Sequence, residues 1–234
     1  GAAGALAGAT PLLGSVPPDA AGEPVLDTLG EAIAGLEGLR WAGYLSTTGV
    51  YGDTGGAPVD EAAPLAPTSA RGRRRVETEA AWVALWRDRG VPVHVFRLAG
   101  IYGPGRSPLD KVRDGTARRV VKPGHAFGRI HVEDIATVLM ASMVRPHPGA
   151  VYNVCDDEPA PPAEVVEYAC KLLGVEPPPP VAFEEAAEEM SPMALSFWRD
   201  NRRVDNGRVK RELGVRLAYP TYREGLAAVL AAGG

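Results

Sequence analysis

A row of hydroxyls, Ser46-Thr47-Thr48, and a run of guanidinium groups, Arg71-Gly72-Arg73-Arg74-Arg75, are the residues of this chain best suited to chemistry. The hydroxyls close an apolar, strand-like stretch and lead into Gly49-Val50-Tyr51-Gly52. There Thr47, or Thr48 beside it, can hydrogen-bond a ligand oxygen, or it can simply end the strand and cap the turn. The arginines open a helix. An arginine keeps its proton near neutral pH, because its pKa lies above about 12, so none of them can work as an acid or a base. What an arginine can do is bind a phosphate or a carboxylate. Four cations in the first turns of one helix also oppose its dipole, at ~0.3–1 kcal/mol each before screening. Glu77 and Glu79 stand four residues after Arg73 and Arg75, in the weaker Arg-before-Glu order. A bound anion would offset the repulsion better; a solvated basic face paired with Asp60 and Glu61 is the other reading for Arg73 and Arg74. Tyr51 and Tyr102 lie near the expected carboxyl ends of strands, where α/β sheets bind ligands. His131 begins an acidic helix, and Arg202 and Arg203 sit in a polar loop at 201–206.

Alternating elements position these groups. Residues 10–16 read as a short strand stopped by Pro17-Pro18, and Val25, Leu26, Leu29, Ile33 and Leu36 recur at helical spacing. Residues 41–46 form a buried strand, 53–68 a turn-rich loop, and 71–89 a helix closed by Gly90 with Trp82 and Trp86 one turn apart. A strand at 91–98 follows, then Ile101-Tyr102-Gly103-Pro104-Gly105 breaks the pattern. Helices are expected at 109–116, 130–143 and 163–173, with a strand at 150–154 before the last of these. The remainder, 183–232, reads as helices around the polar loop. Strands alternating with helices argue for a parallel α/β sheet.

Several phrases occur in a telling order: Ser46-Thr47-Thr48-Gly49-Val50-Tyr51-Gly52, Asp60-Glu61-x-x-Pro64, the Arg71 helix, Arg97-x-x-x-Ile101-Tyr102-Gly103-Pro104-Gly105, and Arg129-Ile130-His131-Val132-Glu133-Asp134. Together they resemble the extended short-chain dehydrogenases/reductases of the NAD-dependent epimerase/dehydratase type, over residues 10–154. The resemblance implies a Rossmann-like doubly wound parallel sheet at 1–157, with 105–128 reaching into a small, mostly helical substrate lobe at 158–234. It implies NAD or NADP as cofactor, held by Ser15, Val16, Pro17, Thr47, Arg75, Leu98, Ala99, Gly100 and Ile101. Thr47, Arg71 and Tyr102 are the implied catalytic positions, and Thr48, Tyr51, His131 and Arg203 the substrate contacts. In such enzymes a Tyr, and four residues later a Lys, open the helix after the hydroxyl turn. Here Arg71 and Arg75 stand in those places, as in an atypical subgroup that keeps the fold and drops the pair. The helices at 25–36 and 76–86 resemble those that pair across a dimer in the family; burial against the sheet is the competing reading. A Gly-rich turn after a first strand is absent from the opening residues. Either a first βαβ portion precedes them or the unit is absent in nature, and the first is favoured.

Composition narrows the classes. The net charge of −4 and the lack of aromatic–basic interleaving count against a nucleic-acid module. No run of apolar residues is long enough to span a bilayer, and the two cysteines make no close-spaced pair, which suits a reducing, cytoplasmic compartment. The histidines lack metal-ligand spacing. The expectation is therefore a nicotinamide-dependent enzyme on a polar, sugar- or nucleotide-linked small molecule, as a homodimer without nucleic-acid or membrane partners. A non-catalytic dinucleotide binder of the same fold is the alternative.

Overall fold

The computed structural model describes residues 2–233. Its centre is a four-stranded parallel sheet of Pro11–Gly14, Trp41–Thr47, Val93–Leu98 and Val151–Val154, in that order across the sheet. Every residue of Val93–Leu98 is buried, as expected of a parallel strand covered on both faces. The two-residue period of the strands sorts their side chains. Ala42, Tyr44, Val93 and Val95 meet Ile33 of the helix Pro24–Ala34 and Trp82 of the helix Ala70–Arg89. On the opposite face Trp41, Phe96, Leu98, Tyr152 and Val154 meet Ile135, Val138 and Leu139 of the helix Val132–Val144. At the carboxyl edge Thr47 pairs with Leu98, and Leu98 with Val154, so the three strands end in one row.

A second cluster joins Tyr102 and Leu109 to Val165 and Ala169 of the helix Pro162–Leu173 and to Leu226 and Val229 of the helix Tyr222–Ala231. Leu109 comes from Pro108–Arg113, so part of the segment at 105–128 packs with the C-terminal helices. The division at residue 157 is not clean in space, because Val209 and Leu213 of the helix Gly207–Leu213 return to pack beneath the sheet.

Three short parallel pairs were not legible as strands. Gly100–Tyr102 pairs with Arg129–His131, Arg119–Val121 with Pro180–Ala182, and Pro58–Val59 with Arg203–Val204. Each is too short to show a period. As a result the helix expected from residue 130 begins at Val132, with His131 as its N-cap. The two tryptophans expected on one face also part: Trp82 is fully buried, and Trp86 is 38% exposed.

Candidate functional site

Thr47 leaves its strand in extended conformation, and its Oγ1 accepts the N–H of Gly49 at 3.1 Å. That bond starts a single 3-10 turn, Thr48–Tyr51, which Gly52 ends at φ +70°. A side chain at Gly52 is doubly excluded: the left-handed φ disfavours it, and a Cβ would stand 1.9 Å from the Ala66 carbonyl oxygen. The loop before the arginine helix is thereby pressed onto the turn. Ser69 caps the helix by accepting the Gly72 N–H at 3.0 Å. Gly72 itself packs so closely on the turn that a Cβ there would lie 3.1 Å from the Gly49 carbonyl oxygen. Thr47 and Arg71 therefore belong to two elements in direct contact at the carboxyl edge of the sheet.

Beneath this contact runs a buried polar network. Arg97 and Glu79 form an ion pair at 2.7 Å, each side chain 6% exposed. Ser46 donates to the same carboxylate at 2.5 Å. Arg97 also donates to the Tyr51 hydroxyl at 2.9 Å, and Tyr51 donates onward to Asn153 Oδ1 at 2.6 Å. The backbone N–H of Asn153 then donates to Glu61 at 2.8 Å. Three sheet strands, the turn and the arginine helix are tied by one set of bonds. Tyr51, expected to meet substrate, has its hydroxyl bonded within this network, and burial raises its pKa.

The arginines divide. Arg75 is buried and donates to the Tyr44 hydroxyl at 2.9 Å and the Leu45 carbonyl at 2.6 Å. It bolts the helix to the strand instead of reaching outward to a ribose, as the resemblance implied. Arg71 is exposed, its guanidinium 5.8 Å from the centre of the Phe197 ring. Among the described residues no carboxylate pairs with Arg71, Arg73, Arg74 or Arg75. Glu79, offered by spacing as a partner for Arg75, goes to Arg97 instead.

Other expected residues face elsewhere. The Tyr102 hydroxyl is buried, turned toward the Thr221 carbonyl at 3.5 Å and held in a space that a Cβ on Gly225 would fill, and burial raises its pKa. His131 is buried as a helix cap, with Nδ1 accepting the Glu133 N–H at 3.3 Å and burial lowering its pKa. Thr48 is buried within its turn. Arg203 is exposed on the short strand beside Pro58–Val59, while its neighbour Arg202 donates to the Gly52 carbonyl at 2.6 Å and to Asp200 at 2.9 Å. Ser15, Val16 and Pro17 are exposed just past the strand Pro11–Gly14. Leu98 and Ala99 are buried at the row of strand ends, Gly100 is exposed, and Ile101 is half-buried in its short strand.

Sequence reasoning missed the pairing of Glu79 with Arg97 and the parts taken by Asp200 and Phe197. Arg97 carried a signal, a lone charge inside an apolar strand, which is buried only when paired. Asp200, which accepts from Thr68 at 2.6 Å and from its near neighbour Arg202, carried none, because Thr68 lies far away in the chain.

The assembled rim offers a threonine hydroxyl, an exposed guanidinium and backbone at three adjacent strand ends. A family model for the NAD dependent epimerase/dehydratase family matches residues 28–155. The chain belongs to that family. It is 32% identical over 179 residues to protein YeeZ of Escherichia coli K12, covering 76% of this chain and 58% of YeeZ. The chain thus spans a little over half the length of this relative. A solved structure of a functionally unknown conserved protein from Silicibacter pomeroyi DSS is 58% identical, with a TM-score of 0.90 over 97% of this chain and 78% of that one. The dTDP-glucose 4,6-dehydratase DesIV of Streptomyces venezuelae, solved with NAD bound, shares the fold at 19% identity and a TM-score of 0.74, over 98% and 74% of the two chains. The mixed α/β architecture with its parallel sheet is that of the family.

The ion pair gives a direct test of how the rim is held. Glu79→Ala is expected to destabilise the protein by ~3–5 kcal/mol, because it strands a buried guanidinium. Urea unfolding measures it; a loss under about 1 kcal/mol would show that the rim does not depend on the pair.

Proposed function

We propose that this chain belongs to a nicotinamide dinucleotide-dependent enzyme, using NAD or NADP, that acts on a polar small molecule bearing an anionic group. The observation that carries the reading is Arg71: an exposed guanidinium, without a carboxylate partner among the described residues, on the helix whose Gly72 packs against the turn that follows Thr47. Family membership supports the cofactor. The rim suits a dinucleotide in part. Exposed backbone at Ser15, Val16, Pro17 and Gly100 permits close approach, and the Thr47 oxygen accepts from Gly49 while its O–H can donate outward. Arg75 does not suit the ribose role, being committed to Tyr44 and Leu45.

When bound, the nicotinamide supplies hydride acceptance and return. Thr47 orients a substrate oxygen, and Arg71 attracts and fixes the anionic group. Arg71 cannot hand over a proton, so the site departs from a phenol-centred mechanism. A sugar nucleotide suits the charge, and the dTDP-glucose dehydratase of similar fold supports that class. The same missing phenol favours one alternative, a regulatory dinucleotide binder without turnover.

Calorimetry with NAD, NADP and their reduced forms, and with dTDP-glucose as the anionic probe, separates these readings. Arg71→Ala is expected to weaken dTDP-glucose binding ~10–100-fold, the worth of one or two charge-assisted hydrogen bonds. Arg71→Lys should retain part of it. Unchanged affinity in Arg71→Ala would remove this residue from the site; saturable dinucleotide binding with no substrate-linked change in nicotinamide absorbance would favour the regulatory reading.

A homodimer is part of the proposed reading and rests on family resemblance. The apolar residues of Pro24–Ala34 and the Trp82 face of Ala70–Arg89 pack on the sheet, so their pattern is already explained by burial. Light scattering at micromolar concentration should give twice the chain mass of 24.6 kDa; the chain mass itself would reject the dimer.

A further inference from the structure

The C-terminal helices meet the sheet along a narrow seam. The backbone N–H of Asp156 donates to the Arg129 carbonyl at 2.6 Å, and that of Asp157 to the Pro220 carbonyl at 2.8 Å. Phe127 and Ala160 exchange a pair of backbone bonds at 3.1 Å. Inside the seam lies Asp156, 2% exposed, whose carboxylate oxygens make no full hydrogen bond among the described residues, although the backbone N–H groups of Arg129 and Glu158 face them.

One positive charge faces it without touching it. The Arg129 guanidinium lies beyond ion-pair reach and favours the charged form, while one of its nitrogens donates to the carbonyls of Phe127 at 2.8 Å and Ala160 at 3.1 Å. Tyr102, from the strand Gly100–Tyr102, and Asp157 and Cys155, on its own segment, add no positive charge. From the helix Tyr222–Ala231, Tyr222 faces Arg129 and Glu224 faces Tyr102, while Arg223 is paired with Glu158. Asp134, from the helix Val132–Val144, also faces Tyr102 and accepts the Ala218 and Tyr219 N–H groups. Lys210 is held by Asp157 at 2.5 Å.

We propose that Asp156 is a proton-binding site that fastens the C-terminal helices to the sheet. With the proton on, a neutral carboxyl sits in the seam at little cost. With it off, an unpaired buried anion either draws the Arg129 guanidinium toward it or opens the seam to water. Because Arg129–His131 pairs with Gly100–Tyr102, which continues from the row of strand ends, loosening the seam reaches the rim. Burial pushes Asp156 up to about 7, against the pull of Arg129 and of the backbone near Glu158. An unfolded aspartate titrates near 3.9. The folded state therefore binds this proton more tightly. Its contribution is fully present below about pH 4 and declines as pH rises toward 7, by up to about tenfold in the folding equilibrium constant per unit, then levels off. This inference is independent of whether the rim binds a dinucleotide.

Urea unfolding of the wild type and Asp156→Asn, at pH values from about 5 to 8, tests it. Between about pH 5 and 7 the wild-type folding constant should lose roughly fiftyfold more than that of the variant, which carries an uncharged amide. At about pH 8 Asp156→Asn should be the more stable protein. Parallel pH profiles would overturn the proposal. Should the variant fail to fold, carboxyl carbon NMR of the wild type decides: a buried aspartate titrating near 7 supports the site, and every aspartate titrating near 4 contradicts it.

Discussion

Two opposite charges removed from water hold this rim together. Arg97 on a central strand and Glu79 on the arginine helix meet at 2.7 Å with almost no exposure. Stripping water from such groups costs several kcal/mol each, and their attraction offsets it only when the remaining donors and acceptors are also filled. Here they are filled by Ser46, Tyr51 and, through Tyr51, Asn153. The requirement runs outward. It fixes the height of the helix against the sheet, the course of the Thr48–Tyr51 turn, and so the direction in which Thr47 and Arg71 leave the scaffold.

The pair also explains why the arginine cluster lacks an acid partner. The one carboxylate of the helix that is buried on the sheet side is committed to Arg97. Arg75 donates to a phenol and a carbonyl, and among the described residues no acid pairs with the arginines at the helix's positive end. A cation beside a helix N-terminus is disfavoured by the dipole, and an anion settling there relieves both. The proposed site thus combines a hydroxyl and a guanidinium from two packed elements, a set that suits recognition of negative charge and does not suit proton transfer.

The sheet was legible because its strands carry long apolar runs and its helices carry caps: Gly90 stops the arginine helix in the left-handed region at φ +71°, and Gly174 does the same at +69°. The position of Arg71 and the hydroxyl at Thr47 were also legible, since local spacing sets both. What spacing does not encode is where a long side chain turns. Arg75 turned inward because Tyr44 and the Leu45 carbonyl lay within reach, and Tyr102 turned toward the C-terminal helices because Gly225 leaves room. Asp156 reads as an ordinary loop acid among acids; only packing reveals it as buried and unpartnered.

Whether Thr47 and Arg71 serve one ligand is the question on which the functional reading turns. A double-mutant cycle of Thr47→Ala and Arg71→Ala on dTDP-glucose affinity, by calorimetry, addresses it most directly. Residues sharing a bound molecule should couple by about 0.5–3 kcal/mol, and independent sites should add within about 0.5 kcal/mol. Non-additive losses are the expected result; strictly additive losses, or no saturable binding of dTDP-glucose, would contradict it.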